Sequence, residues 1–95
     1  ARRAVVTVGS HGVAWVDEAG AEHWADAHDV RQVNPIGAGD SFVGGLLRGL
    51  ADDRGWTHAV GFAAAVAGAA VENPTAGYVD PLRVEELFGR AEALR

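Results

Sequence analysis

The chain has 95 residues, 48% of them apolar, a formal net charge of −5, and arginine at every Lys/Arg position. That length suits one small domain with a packed core rather than a disordered segment, and the charge lacks the basic face expected of a nucleic-acid binder. With no cysteine, disulfides, thiolate nucleophiles and cysteine-ligated zinc are excluded together.

Residues 4–9 read as a strand that is apolar on both faces, the pattern of an inner strand of a parallel sheet covered by helices. The neighbours for such a strand are hard to find here, so the chain reads as a segment of a larger fold. Ala1-Arg2-Arg3 leads straight into this strand rather than into the apolar core of a signal peptide, and a cytoplasmic location is expected. Residues 12–17 and 21–25 form a hairpin around Asp17-Glu18-Ala19-Gly20. Residues 30–33 are a further short strand, and Pro35 keeps Asn34 extended.

A helix is predicted over 40–51, with Phe42, Val43, Leu46, Leu47 and Leu50 as its apolar stripe. A second, rich in Ala and Gly, covers 56–71. Its apolar run of 59–71 is shorter than the roughly 20 residues that cross a bilayer, so it is a buried helix and no membrane partner is expected. Asp80 and Pro81 are the cap and first residue of a third helix, whose buried face is Val84, Leu87, Phe88 and Ala91. The order, strands and a hairpin followed by three helices, predicts one α/β unit.

The run Asn34-Pro35-Ile36-Gly37-Ala38-Gly39-Asp40-Ser41-Phe42 carries the chemistry. A strand ends, two glycines turn the chain, and a helix begins with outward N–H groups and the positive end of its dipole. That is an anion site suited to phosphate, and glycine lets the backbone approach without a Cβ. Asp40 repels a phosphate unless it has a task of its own. Accepting the proton of an attacking hydroxyl is the natural one, taken late in phosphoryl transfer. An ordinary helix cap behind a flexible turn satisfies the same residues, and spacing alone does not separate the two. With no lysine this is not a Walker A loop, and with no third glycine it is not a dinucleotide fingerprint.

Residues 34–42 resemble the C-terminal signature of the ribokinase-like (pfkB) carbohydrate kinases, Asp-Thr-x-Gly-Ala-Gly-Asp. Thr7-Val8-Gly9-Ser10-His11-Gly12 is similar to the family's Thr-Leu-Gly-x-x-Gly strand and loop, and the resemblance runs through essentially the whole chain. It implies the C-terminal part of a three-layer α/β/α sandwich, with residues 1–95 as the nucleotide-binding and phosphoryl-transfer segment and the N-terminal substrate and lid part absent. It implies an ATP- and Mg2+-dependent kinase of a sugar or sugar phosphate. Gly37, Ala38 and Gly39 are then the anion hole and Asp40 the base. Thr7, Gly9, Ser10 and Gly12 line the ribose and phosphates of ATP, and residues 62–68, with Ala64 in place of a histidine, border the adenine together with Asn73. Asn34, which replaces the signature aspartate, and Ile36 are the positions of a monovalent cation, so K+ dependence is in question. Asn-Pro before Gly-Ala-Gly-Asp is similar to the 1-phosphofructokinase and tagatose-6-phosphate kinase branch. The alternative is a non-catalytic nucleotide-binding or interaction fragment that needs its missing part, or that pairs as a homodimer.

The remaining candidates read as structural. Residues 22–29 hold two histidines and several carboxylates in no standard metal spacing. His11 and His58 are expected at the surface, as are Arg48 and Arg54. Trp15 and Trp24 are expected to pack across the hairpin. Glu85-Glu86 suits the dipole of the last helix.

Overall fold

The computed structural model describes residues 3–76 and 78–93, apart from the side chains of Ser10, Ala91, Glu92 and Ala93. Strands β1 (Ala4–Thr7), β2 (Gly12–Val16) and β3 (Glu22–Asp26) precede helices α1 (Ala38–Ala51), α2 (Trp56–Val71) and α3 (Pro81–Ala93). The strands form one antiparallel sheet in the order β1-β2-β3. β1 thus pairs antiparallel with β2, and on its other side, where Val6 is 61% exposed, it has no strand neighbour among the described residues. A 3-10 turn at Gly9–His11 folds the chain straight back after Thr7, and so short a connection permits only an antiparallel partner.

Side chains alternate across the pleat, so Val5, Val13, Trp15, His23 and Ala25 share one face, and Val6, Ala14 and Trp24 the other. Trp15 and Trp24 thus do not meet. Trp15 lies opposite His23 and stacks on it with centroids 5.2 Å apart, while Trp24 is half exposed and donates its indole N–H to Asp26 (2.8 Å). Asp17 closes the hairpin, accepting the N–H groups of Ala19 (2.9 Å) and Ala21 (3.0 Å) and pairing with His23 Nε2 (2.7 Å). These bonds, the His23 contact foremost, hold its carboxyl below the usual range.

Helix α2 is apolar all round because it packs on every side. Trp15 Nε1 donates to Thr57 Oγ1 (3.2 Å), and Glu18 Oε2 accepts the N–H of Trp56 (3.3 Å), which fixes the hairpin to the start of α2. Val60 and Ala63 then pack with Val13, Trp15 and Phe42, and Ala65 and Ala69 pack with Val84 and Leu87 of α3. The approach of α1 is set by its glycines. A Cβ on Gly45 would fall 2.9 Å from Val66, and one on Gly49 would fall 2.8 Å from the Ala59 backbone. This rotates the predicted stripe partly outward: Phe42 is buried, but Val43 and Leu47 are 55% and 64% exposed.

Residues 30–33 are not a strand. The N–H groups of Val33 and Asn34 both donate to Val71 O (2.7 and 3.0 Å), so this segment satisfies an orphan carbonyl at the end of α2 instead of pairing in the sheet. At α3, Asp80 Oδ1 accepts the Leu82 N–H (3.0 Å) as a cap should, and Val84 and Leu87 are buried. Glu86 does not serve the dipole; it pairs with Arg83 and Arg90, and Arg83 also grips Glu72 at the end of α2. His58, expected at the surface, is buried edge-on against Phe88 and lies 3.4 Å from Asp52. It faces α3 because it shares that side of α2 with Phe62.

Candidate active site

Pro35-Ile36-Gly37-Ala38 is a tight turn in which the Ala38 N–H donates to Pro35 O (3.2 Å). Gly37 has φ 85° and ψ −1°, the setting that the third residue of a type II turn requires and that glycine adopts without strain. Helix α1 therefore begins at Ala38, two residues earlier than its pattern suggests, and Asp40 is its third residue rather than its cap. The Ser41 N–H returns to Gly37 O (2.9 Å). Among the described residues, the N–H groups of Gly37, Gly39 and Asp40 have no acceptor, whereas that of Ala38 is engaged. The free donors thus include Asp40 itself and leave out Ala38.

The other motif is also a glycine turn. Gly9 (φ 52°) opens the 3-10 turn and Gly12 (φ 144°) follows it, and the Val8 N–H donates to Gly12 O (2.8 Å). The packing of β3 leaves Gly12 no room for a side chain, since a Cβ there would lie 2.2 Å from Ala25 O.

A cavity of about 220 Å³ brings the two motifs together. Thr7, Gly9 and Gly12 line it from the first, Ala38 and Gly39 from the second, and Ala64 from α2. Gly39 is helical, and a Cβ on it would meet nothing within 4 Å. The wall there is open by composition, not by packing, which fits a bound anion lying against the turn. Asp40 belongs to the opposite side. With Gly37, Ser41, Gly44 and Val79 it lines a second, shallow and open depression, so the turn stands between the two.

Several expected members lie elsewhere. Asn73 is not on the cavity wall, because its Oδ1 accepts the Thr75 N–H (3.1 Å) in a local turn. Asn34 Oδ1 accepts the Ile36 N–H (3.0 Å), and its amide donates to Pro74 O (3.1 Å), tying the loop before α1 to the loop after α2. Ile36 is 70% exposed. With Asn34 the position lacks the signature carboxylate, and no group of three or more His, Cys, Asp or Glu among the described residues could hold a metal ion. The side chain of Ser10 lies outside the described residues. The wall includes His28, Val30 and Gln32, which the sequence reading placed in a solvated loop and a strand. Only the tertiary position of that loop brings them in.

The model of the pfkB family of carbohydrate kinases matches residues 1–83. The chain belongs to this family. The 1-phosphofructokinase of Escherichia coli K12 is 35% identical over 88 residues, 93% of this chain and 28% of that protein. The Haemophilus influenzae 1-phosphofructokinase is 32% identical over 76 residues, 80% of this chain and 24% of that protein. Phosphofructokinase-2 from E. coli, solved with potassium, superposes with a TM-score of 0.86 at 24% identity, covering 96% of this chain and 29% of that one. Arabidopsis thaliana ribokinase, solved with ribose and ATP, gives 0.80 at 23%, covering 92% and 29%. The ribokinase-like α/β fold is thus established, and the chain spans less than a third of the length of these relatives.

Proposed function

We propose that the complete protein transfers the γ-phosphoryl group of ATP to a hydroxyl of a sugar or sugar phosphate. The free N–H groups of Gly37, Gly39 and Asp40 are the anion hole, and the Asp40 carboxylate is the base. One observation carries the reading: the turn that offers free N–H donors separates a cavity lined by the first glycine motif from a depression that holds Asp40. In phosphoryl transfer the charge spreads over the three equatorial oxygens while nucleophile and leaving group stand in line on opposite sides. Donors at a helix N-terminus suit those oxygens. ATP fits the cavity, where Gly39 leaves the space against the turn free. An acceptor hydroxyl approaching from the depression meets the Asp40 carboxylate.

Kinship with 1-phosphofructokinases supports a sugar phosphate as the acceptor. The donor rests on the two motifs and on the ribokinase solved with ATP. Among the described residues no group of three or more His, Cys, Asp or Glu could hold magnesium; the phosphofructokinase-2 solved with potassium supports a monovalent cation in the complete protein. With so small a share of the relatives' length, the 95 residues by themselves are read as holding nucleotide without turning over an acceptor.

Asp40→Asn in the complete protein tests the assignment. A general base contributes about 10²–10⁴-fold, so kcat should fall by that order with ATP affinity nearly unchanged. Near-normal turnover would sink the assignment.

A further inference from the structure

The cavity that receives both glycine turns has one titratable side chain on its wall, His28, and the proposed chemistry gives it no task. It follows β3 in a loop that begins with the Ala27 N–H donating to His11 O (3.2 Å). Its ring rests on Gly68 of α2, where a Cβ would lie 3.5 Å from His28 Cβ and 3.6 Å from Cδ2. Each residue of a helix turns about 100° from the last. Around α2, Ala59, Ala63 and Val66 face the glycines of α1, while Ala64, Ala67 and Val71 face the cavity. Gly68 comes further round, on the side away from α1. His28 therefore stands across the cavity from the Gly39 turn.

The lining between these two ends is mainly apolar; its polar side chains are Thr7, His28 and Gln32. His28 is half-buried and has no hydrogen-bond partner among the described residues. Burial, aided by the charges of Arg83 and Arg90, lowers its pKa from the ordinary histidine value. At neutral pH the ring is thus uncharged, with one N–H donor and one bare nitrogen acceptor.

A cavity with anion donors at one end, apolar walls, and a neutral donor–acceptor ring at the other has the polarity of a nucleotide laid across it. We propose that His28 recognises the heteroaromatic base of the nucleotide, hydrogen-bonding its edge while the phosphates lie at Gly39. This rests on the reading of the cavity as the ATP site. Ala64 and Gly68, the nearest positions on α2, offer the base only methyl and backbone, so edge recognition falls to the loop.

The test uses the complete protein, ATP, GTP and tripolyphosphate, which carries the charge but no base. His28→Ala should raise the KM for ATP about tenfold, the size of one lost hydrogen bond to a desolvated edge, and should leave kcat within about twofold. It should narrow the preference between ATP and GTP and leave tripolyphosphate binding unchanged; His28→Gln should restore part of the affinity. In the wild-type protein, the His28 ring signals in NMR should move on adding ADP and stay still with tripolyphosphate, a readout that needs no variant to fold. Wild-type KM and base preference in His28→Ala, or ring signals indifferent to ADP, would overturn this proposal and leave the site reading standing. ATP that binds the wild type no better than tripolyphosphate would overturn both.

Discussion

The two glycine turns that meet at the cavity use glycine for different reasons. At Gly12 the fold itself forbids a side chain: φ is 144°, and a Cβ would lie 2.2 Å from a backbone oxygen of β3. At Gly39 the backbone is ordinary helix and the space beside it is empty to 4 Å. Glycine is a poor helix former, less favourable than alanine by about 1 kcal/mol, so a helical glycine facing open space is not explained by stability. Gly44 and Gly89 are likewise helical with open space beside them, so what sets Gly39 apart is its place on the cavity wall. Gly12 is thus kept bare by the scaffold and Gly39 is not, although both line one cavity; on the proposed reading Gly39 leaves room for the phosphate.

That contrast can be broken by substitution. Gly12→Ala should have the largest effect, a loss of about 2–4 kcal/mol in denaturant-unfolding stability, because the clash is with backbone and the conformation is one that alanine rarely adopts. A loss under about 1 kcal/mol would show that the β3 contact relaxes easily and that the two glycines are not so different. A smaller effect concerns the wall they share. The pKa of His28 is lowered, chiefly by burial and then by Arg83 and Arg90, so the unfolded chain takes up its proton first as the pH falls. Stability is then unaffected above about 6.5, the unfolded value, and declines below it. In His28→Gln the acid side of the stability profile should be flatter; an unchanged slope would place the acid sensitivity elsewhere. The side chain is about half exposed, so the difference is modest.

The parts legible in the sequence were those set by local chemistry. The helices α2 and α3 began where predicted, because an apolar face and an Asp-Pro start are local signals. The Gly37-Ala38-Gly39-Asp40 run is local in the same way, and it forms the turn and helix start expected of it. Other features depended on which elements meet. The antiparallel pairing of β1 with β2 was not legible, since four apolar or β-branched residues do not reveal that the next turn folds back. The stripe on α1 held only in part, with Phe42 and Leu46 at the core, because Gly45 and Gly49, silent in a hydrophobic pattern, set the contact with α2. Asn73, expected beside the base, does not line the cavity, and its side chain is held in a local turn with Thr75, two residues on. His28 reached the cavity through loop packing, which leaves no periodic trace.

The central claim is that Gly39 is kept bare for a phosphate. Gly39→Ala in the complete protein tests it by measuring unfolding stability and ATP binding on the same samples. The expected result is stability held or raised by about 0.4–1 kcal/mol, as for glycine replaced in a compatible conformation, together with a clear loss of ATP affinity and turnover. Wild-type ATP binding and turnover in this variant would contradict the account.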